Sequence, residues 1–259
     1  MISKNAIISE DAKIGKNVYI EDFVKIGENV EIGDDVQIMH GAVIYKNTKI
    51  GNGTKIYPYA SIGTDPQDLK FKGEETFCEI GKSCLIREFT TVNRGTSASG
   101  KTVIGDETLL MAYVHVAHDC RVGKKCVLAN CATLAGHVEI SDHAIIGGLT
   151  PVHQFVRIGT FAIVGGASRI NQDVPPYTMA ARNPAYLYGL NLIGLKRAGF
   201  KPEVIANLRK AYRILFKSEL KQEEAIKKIK EFSEYSKISE LQNLVDFIEK
   251  SRRGITPSK

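Results

Sequence analysis

Ten isoleucines stand six residues apart, at Ile8, Ile14, Ile20, Ile26, Ile32, Ile38, Ile44, Ile50, Ile56 and Ile62. The same phase returns at Ile80, Ile86 and Val92. It resumes at Ile104 and runs through Leu110, Val116, Val122, Leu128, Leu134, Ile140, Ile146, Val152, Ile158 and Val164 to Ile170, twenty-five aliphatic positions in one register. The next residue is often glycine (Gly15, Gly27, Gly33, Gly51, Gly63, Gly81, Gly105), and the fourth is small (Ala12, Val18, Val24, Val30, Ala42, Thr48, Ala60). A period of six matches neither the 3.6-residue helical turn nor plain strand alternation; it is the signature of a hexapeptide β-helix, each hexad one short strand and one turn. The aliphatic and the small residue point inward, and each buried aliphatic contributes roughly 1.5–3 kcal/mol. The glycines are expected to relieve corners that need positive φ. Three hexads close a triangular coil, so that positions about eighteen apart stack at about 4.8 Å per coil.

The register is interrupted twice without loss of phase, at 64–79 and 93–103, which reads as two excursions from an intact prism. It ends at Asp173-Val174-Pro175-Pro176-Tyr177. The expected organisation is a mainly β chain: a parallel β-helix over residues 1–174 and a C-terminal α-helical domain over 175–259. A helix is predicted from Ala185 to Ala198, stopping at Gly199. Another is predicted from Pro202, a favoured first helical position, with Val204, Ile205, Leu208, Ala211, Tyr212, Leu215 and Phe216 on one face. Two shorter helices are predicted around Ile226, Ile229 and Phe232 and around Leu241, Leu244, Val245 and Ile248.

With 43% hydrophobic and 25% charged residues, the composition excludes a disordered chain. No stretch reaches the ~18 apolar residues of a spanning helix, and Met1-Ile2-Ser3-Lys4-Asn5 lacks a signal-peptide core, so a cytoplasmic protein without stable membrane insertion is expected. The five cysteines form no CxxC pair and read as small core residues. The net charge of +6 is C-terminal in origin, with 14 Lys or Arg against 9 Asp or Glu from residue 201 onward; it suits an acidic partner rather than a nucleic acid.

Gly95-Thr96-Ser97-Ala98-Ser99-Gly100-Lys101-Thr102 satisfies a P-loop pattern, but a P-loop leads into a helix N-terminus and this segment leads back into the hexads. The histidines carry more. His115, His118, His137 and His153, with His143 nearby, are spaced close to one coil apart and are expected to line one wall. His118 lies two residues beyond an inward aliphatic, at an outward or corner position, and adjacent Asp119 can fix its tautomer and raise its basicity for general-base chemistry. Clustered imidazoles also suit zinc, but the spacing does not repeat that of zinc-binding hexapeptide proteins, and no metal is expected.

His115-Val116-Ala117-His118-Asp119-Cys120, Leu128 to Val138, Ile145 to Phe155 and Gln172 to Tyr177, together with Gln67-Asp68-Leu69-Lys70 and Asn191 to Arg197, resemble the bacterial UDP-N-acetylglucosamine 3-O-acyltransferases over nearly the whole chain. That family catalyses the first step of lipid A synthesis. The resemblance implies a homotrimer of left-handed prisms with sites in the clefts between neighbours, a 3-hydroxyacyl thioester of acyl carrier protein as donor, a UDP-sugar as acceptor, and no cofactor. It implies His118 as general base, Asp119 as its orienter and the Gly136 amide as oxyanion donor. Asp68, Lys70, His115 and Gln154 would contact sugar and phosphate, His137 and His153 would support the pocket, and Asn191 and Arg197 would bind the nucleotide. Ile193 and Ala198 depart from the family's usual glutamate and basic residue. Gly166 matches the floor of the acyl channel, where glycine implies a long chain. Arg209, Lys210, Arg213 and Lys217 are candidate carrier contacts. A relative acylating a 3-amino sugar nucleotide, one using acyl-coenzyme A, and a structural or ice-binding β-helix are the competing readings. The last would show a threonine ladder and no histidine wall.

Overall fold

The computed structural model describes residues 1–259. Nearly every hexad forms a two-residue strand ending on its ladder aliphatic, and three parallel sheets wrap one column. The first sheet runs from Ile7–Ile8 to Pro151–Val152, the second from Lys13–Ile14 to Arg157–Ile158, and the third from Tyr19–Ile20 through Ile163–Val164. Registers such as Ile8 with Ile26 and Leu134 with Val152 stack one coil on the next. The ladder aliphatics and the small residues two positions before them merge into one continuous core, in which Ile20, Ile38, Leu110, Val116 and Leu134 are fully buried.

The outward residues distinguish the three sheets. The first carries Thr91, His115 and Thr133 in register, and is the histidine face. The second carries Lys13, Glu31 and Lys49, then Arg121, Glu139 and Arg157, and is the charged face. The third turns apolar along its length, with Leu85, Leu109, Val127, Ile145, Ile163 and Met179 in one row, and is the apolar face.

Positive φ falls three residues after the ladder aliphatic, at Asn17, Asn29, Asp35, Tyr59, Asp119, His137 and their equivalents, mostly at residues other than glycine. Of the glycines directly after the aliphatic, Gly63 alone takes the expected positive φ (+81°); at the others the coils approach too closely for a side chain. A Cβ on Gly51 would lie 2.5 Å from the Gly81 carbonyl carbon.

Both excursions leave the histidine face and re-enter on the charged face, between Thr64 and Phe77 and between Asn93 and Lys101. They are shorter than expected because their flanks extend the ladders, as where Cys78 and Glu79 pair with Thr48 and Lys49. Their roots are joined. Arg94, 2% exposed, pairs with Asp65, donates to the Gly63 carbonyl and lies over the Phe71 ring.

The region expected to be one helix from Ala185 to Ala198 is instead a strand, Tyr186–Leu190, followed by a short helix α1, Leu192–Arg197. The strand runs antiparallel to Thr178–Ala181, which itself continues the apolar sheet beyond residue 174. Helices α2 (Pro202–Phe216), α3 (Gln222–Lys230) and α4 (Ser239–Glu249) pack around a second core of Leu195, Leu208, Ile229, Leu241 and Leu244, as the apolar spacing requires. The chain end returns to the column, where Ile255 bridges Asp173 and Ser258 bridges Leu187. No helix is long and apolar enough to cross a membrane.

Candidate active site

The corner between the histidine and charged faces gathers most of the site residues expected from the sequence. His118, Gly136 and Gln154 occupy the second position after the aliphatics of three successive coils, and Asp119, His137 and Phe155 the third. His137 stacks on Phe155 at 4.5 Å between ring centroids and meets the His118 ring edge-on at 5.1 Å. The first excursion brings Gln67, Asp68, Leu69 and Lys70 over this corner; with His118, His137, Gln154 and Phe155 they line a depression of about 590 Å³.

His118 Nδ1 lies 2.8 Å from Asp119 Oδ2. An ionised carboxylate only accepts, so Nδ1 carries the proton and Nε2 is left with a free lone pair. Burial pushes the Asp119 carboxyl up, but hydrogen bonds from Ser99, Thr96 and His118 outweigh it and hold the group below the usual carboxylate range. Burial lowers the basicity of His115, with His118 adding to the effect, and burial likewise lowers that of His137. Both are therefore neutral near pH 7. Gly136 lies against the His118 ring, where a Cβ would sit 2.6 Å from His118 Cε1; its amide has no acceptor within the chain.

His118, Asp119 and His137 also offer three ligand atoms within 4.8 Å of one another, the set that could reach a cation. The Asp119 oxygens are, however, already taken by N–H and O–H donors, and His118 Nδ1 faces Oδ2 directly, which is proton-sharing rather than metal-ligand geometry. Cys78, Cys120 and Cys126 are buried, and burial pushes their thiols up to about 12, so they are core residues and not nucleophiles.

The remaining candidates lie elsewhere. His115 is on the histidine face, its Nδ1 2.7 Å from Thr91 Oγ1. His153 directly follows the last strand of that face, and its Nδ1 receives Arg253 Nη2 at 3.1 Å. His143 is on a different corner, stacked on Phe161. Asn191 caps α1: its Oδ1 accepts from the Gly194 amide, and its Nδ2 donates to the Phe161 carbonyl. Arg197 is exposed in the last turn of α1. Gly166 is on the corner between the apolar and histidine faces, against Gly148. Within one chain, neither the α1 residues nor Gly166 share the corner of His118.

Two groups had escaped notice in the sequence. Thr96 and Ser99 hold Asp119, inside the segment that mimics a P-loop. Arg121 and Arg157, two coils apart, combine with Lys250, Arg252 and Arg253 from the chain end, beside Asp119 and His137, in a basic depression of about 690 Å³. The spacing of thirty-six between Arg121 and Arg157 was the available signal.

Residues 173–256 match the family model of UDP-N-acetylglucosamine O-acyltransferase domain 2, and 5–34, 29–64 and 101–136 match the bacterial transferase hexapeptide model. The acyl-(acyl-carrier-protein)–UDP-N-acetylglucosamine O-acyltransferase of Burkholderia mallei is 46% identical over 196 residues, 74% of this chain and 75% of its own. The chain belongs to the UDP-N-acetylglucosamine O-acyltransferase family. Solved family members agree over the whole length. The Bacteroides fragilis enzyme superposes with a TM-score of 0.94 at 46% identity, covering 98% of this chain and 99% of its own, and the Moraxella catarrhalis enzyme with 0.95 at 44% and the same coverage. The column is accordingly a left-handed parallel β-helix, and the protein is an acyltransferase of the first step of lipid A biosynthesis.

Proposed function

We propose that His118 Nε2 removes the proton from the sugar 3-hydroxyl of UDP-N-acetylglucosamine as that oxygen attacks the thioester carbonyl of a 3-hydroxyacyl group on acyl carrier protein. The new C–O bond forms, the oxyanion is held by the Gly136 amide, and collapse breaks the C–S bond; His118 returns its proton to the departing thiolate. One observation carries the reading: Asp119 occupies His118 Nδ1 at 2.8 Å in the wall of a depression roomy enough for a sugar. Asp68 and Gln154 orient the acceptor, and Lys70, on the first excursion, meets phosphate as a point charge. His115 and His137, kept neutral, accept or donate without adding charge, and His153 braces the rim through Arg253.

Asn191, Arg197 and Gly166 complete the site from neighbouring copies. An apolar row on one face and an exposed aromatic ridge along its edge favour a homotrimer with the three ridges at the axis. That arrangement sets the apolar face of one copy against the histidine face of the next, with His115 in the cleft and His118 at its rim. Asn191 acts by fixing the start of α1, and Gly166 leaves the channel floor open for a long acyl chain. The basic depression formed by Arg121, Arg157, Lys250, Arg252 and Arg253 offers the acidic carrier a landing surface beside the base, together with the α2 residues Arg209, Lys210 and Arg213 and Lys217 just after the helix. The reaction takes place in the cytoplasm and needs no metal or organic cofactor.

The test is turnover of UDP-N-acetylglucosamine and its 3-amino analogue with carrier thioesters of graded length. His118→Ala is expected to lose about 10²–10⁴-fold in kcat, with an unchanged melting temperature; near-normal turnover would remove the mechanism. EDTA should leave the rate unaltered, and added salt should raise KM for the carrier thioester.

A further inference from the structure

The P-loop-like octapeptide folds around a carboxylate. Thr96 donates its amide to Asp119 Oδ1 at 3.0 Å and its hydroxyl to Oδ2 at 2.7 Å, and the Ser99 hydroxyl donates to Oδ1 at 2.5 Å. The Thr102 hydroxyl accepts from the Asp119 amide at 2.8 Å. Two internal bonds, Ala98 amide to Thr96 Oγ1 and Gly100 amide to the Thr96 carbonyl, keep the loop in this shape. With His118 Nδ1 on Oδ2, the buried carboxylate receives four donors, its full complement.

We infer that Thr96 and Ser99 are positioning residues for acyl transfer: their hydroxyls clamp both oxygens of Asp119, so that Oδ2 stays on His118 Nδ1 and Nε2 stays free for the acceptor. This rests on His118 being the base. The clamp has a competitor to exclude. His137 Nε2 lies 3.7 Å from the same Oδ2. A carboxylate released from Thr96 and Ser99 turns toward His137 and leaves His118 free to rotate or to change tautomer. The second excursion therefore keeps the carboxylate on one imidazole, at 2.8 Å, and off a neighbouring one at 3.7 Å, and this gives an interruption of the prism a catalytic purpose. The depressed proton affinity of Asp119 agrees, since hydrogen bonds to the charged form are what outweigh its burial.

The experiment replaces the hydroxyls while keeping the loop's backbone: Thr96→Val with Ser99→Ala, each alone and together. The double variant is expected to lose about 10- to 100-fold in kcat, with KM for UDP-N-acetylglucosamine within about twofold. Thr96→Ser, which restores the hydroxyl, is expected to recover most of the rate. The acid limb of kcat/KM should move to lower pH, because a carboxylate turned toward His137 no longer stabilises the protonated form of His118. The other charged and titratable groups facing this pair are His115, His137, Asp68 and Lys70 on the sugar side and Arg121, Glu139, Arg157, Lys250, Arg252 and Arg253 on the other; all are untouched. A purely structural loop would lower the melting temperature without moving the limb. If the double variant does not fold, Ser99→Ala alone must show a smaller loss of the same kind. Wild-type kcat with an unmoved limb in the folded variants, alongside an inactive His118→Ala, overturns the clamp and leaves the base standing. An active His118→Ala overturns the reading beneath both.

Discussion

Gly136 supports the His118 ring from below, and its missing side chain is a matter of space. Its backbone is compatible with alanine, but an added Cβ would press into the imidazole at 2.6 and 2.7 Å. Gly136→Ala is therefore expected to swing the ring off Asp119, at a cost of about 10²-fold or more in kcat, while the melting temperature changes little because the ring sits at a partly open corner. Steady-state kinetics beside a thermal melt separates the two effects. Acid sensitivity is expected from the same group of residues. Asp119 has its pKa depressed in the fold, so it contributes stability above the unfolded carboxylate value that is lost as pH falls through the folded one. His115 and His137 are lowered, so the unfolded chain binds more protons and stability falls as pH drops through the ordinary imidazole range. Melting temperature should decline below about pH 6.5, and Asp119→Asn should flatten the more acidic part of that decline. His118, Asp119 and His137 were legible in the sequence because coil spacing brings them together. Thr96 and Ser99 were not: their partner is reached through a loop whose path is set by the corner it leaves and not by the period.

At the level of the coil, glycine is used for two different reasons. Gly51 lies where successive coils nearly touch, with neighbouring backbone 2.5 Å from the site of a Cβ. Gly53, at φ +70°, holds the left-handed corner position that Asn17, Asn29 and Asn47 fill in other coils, and only Ser83 Oγ comes near it. Gly51→Ala is expected to destabilise by about 1–3 kcal/mol through forced overpacking, whereas Gly53→Asn should melt close to wild type, since asparagine tolerates this conformation better than most residues. Equal effects in a denaturant titration would contradict the assignment. The period alone locates the strands, but it does not say which turn residue bears positive φ. Nor could it identify Tyr186–Leu190 as a strand. Leu187 and Leu190 are buried there three residues apart, a spacing that a short helix would also satisfy, and pairing with Thr178–Ala181 decides the matter.

Across the whole column, the three faces are suited to different surroundings. The charged face carries the ladder Lys13–Glu31–Lys49 and the pair Arg157–Glu139, which is a surface for water. The apolar face cannot serve as one, and its edge toward the histidine face exposes Phe23 (64%), Tyr59 (50%), Phe89 (43%), Tyr113 (58%) and Leu149 (67%) in line. Tyr59, Phe89 and Tyr113 stack nearly parallel at 5.4 and 5.0 Å, forming a continuous ridge and not scattered exposure. In the proposed trimer, burying this ridge against copies of the chain would bring Gly166, on the same edge, and the apolar row opposite His115 and His118 of a neighbour, which predicts that assembly and catalysis are coupled. Phe89→Glu with Tyr113→Glu, set at the ridge's centre and off the corner of His118, is expected to shift the mass measured by light scattering from three chains toward one. The same change should lower kcat/KM by about 10²-fold or more, because in the proposed trimer the neighbour supplies a wall for acceptor and acyl chain. The far-ultraviolet circular dichroism should be retained, since each column has its own core. A double variant that remains a trimer would move the axis away from this ridge, and a fully active monomer would show that one chain holds the whole site.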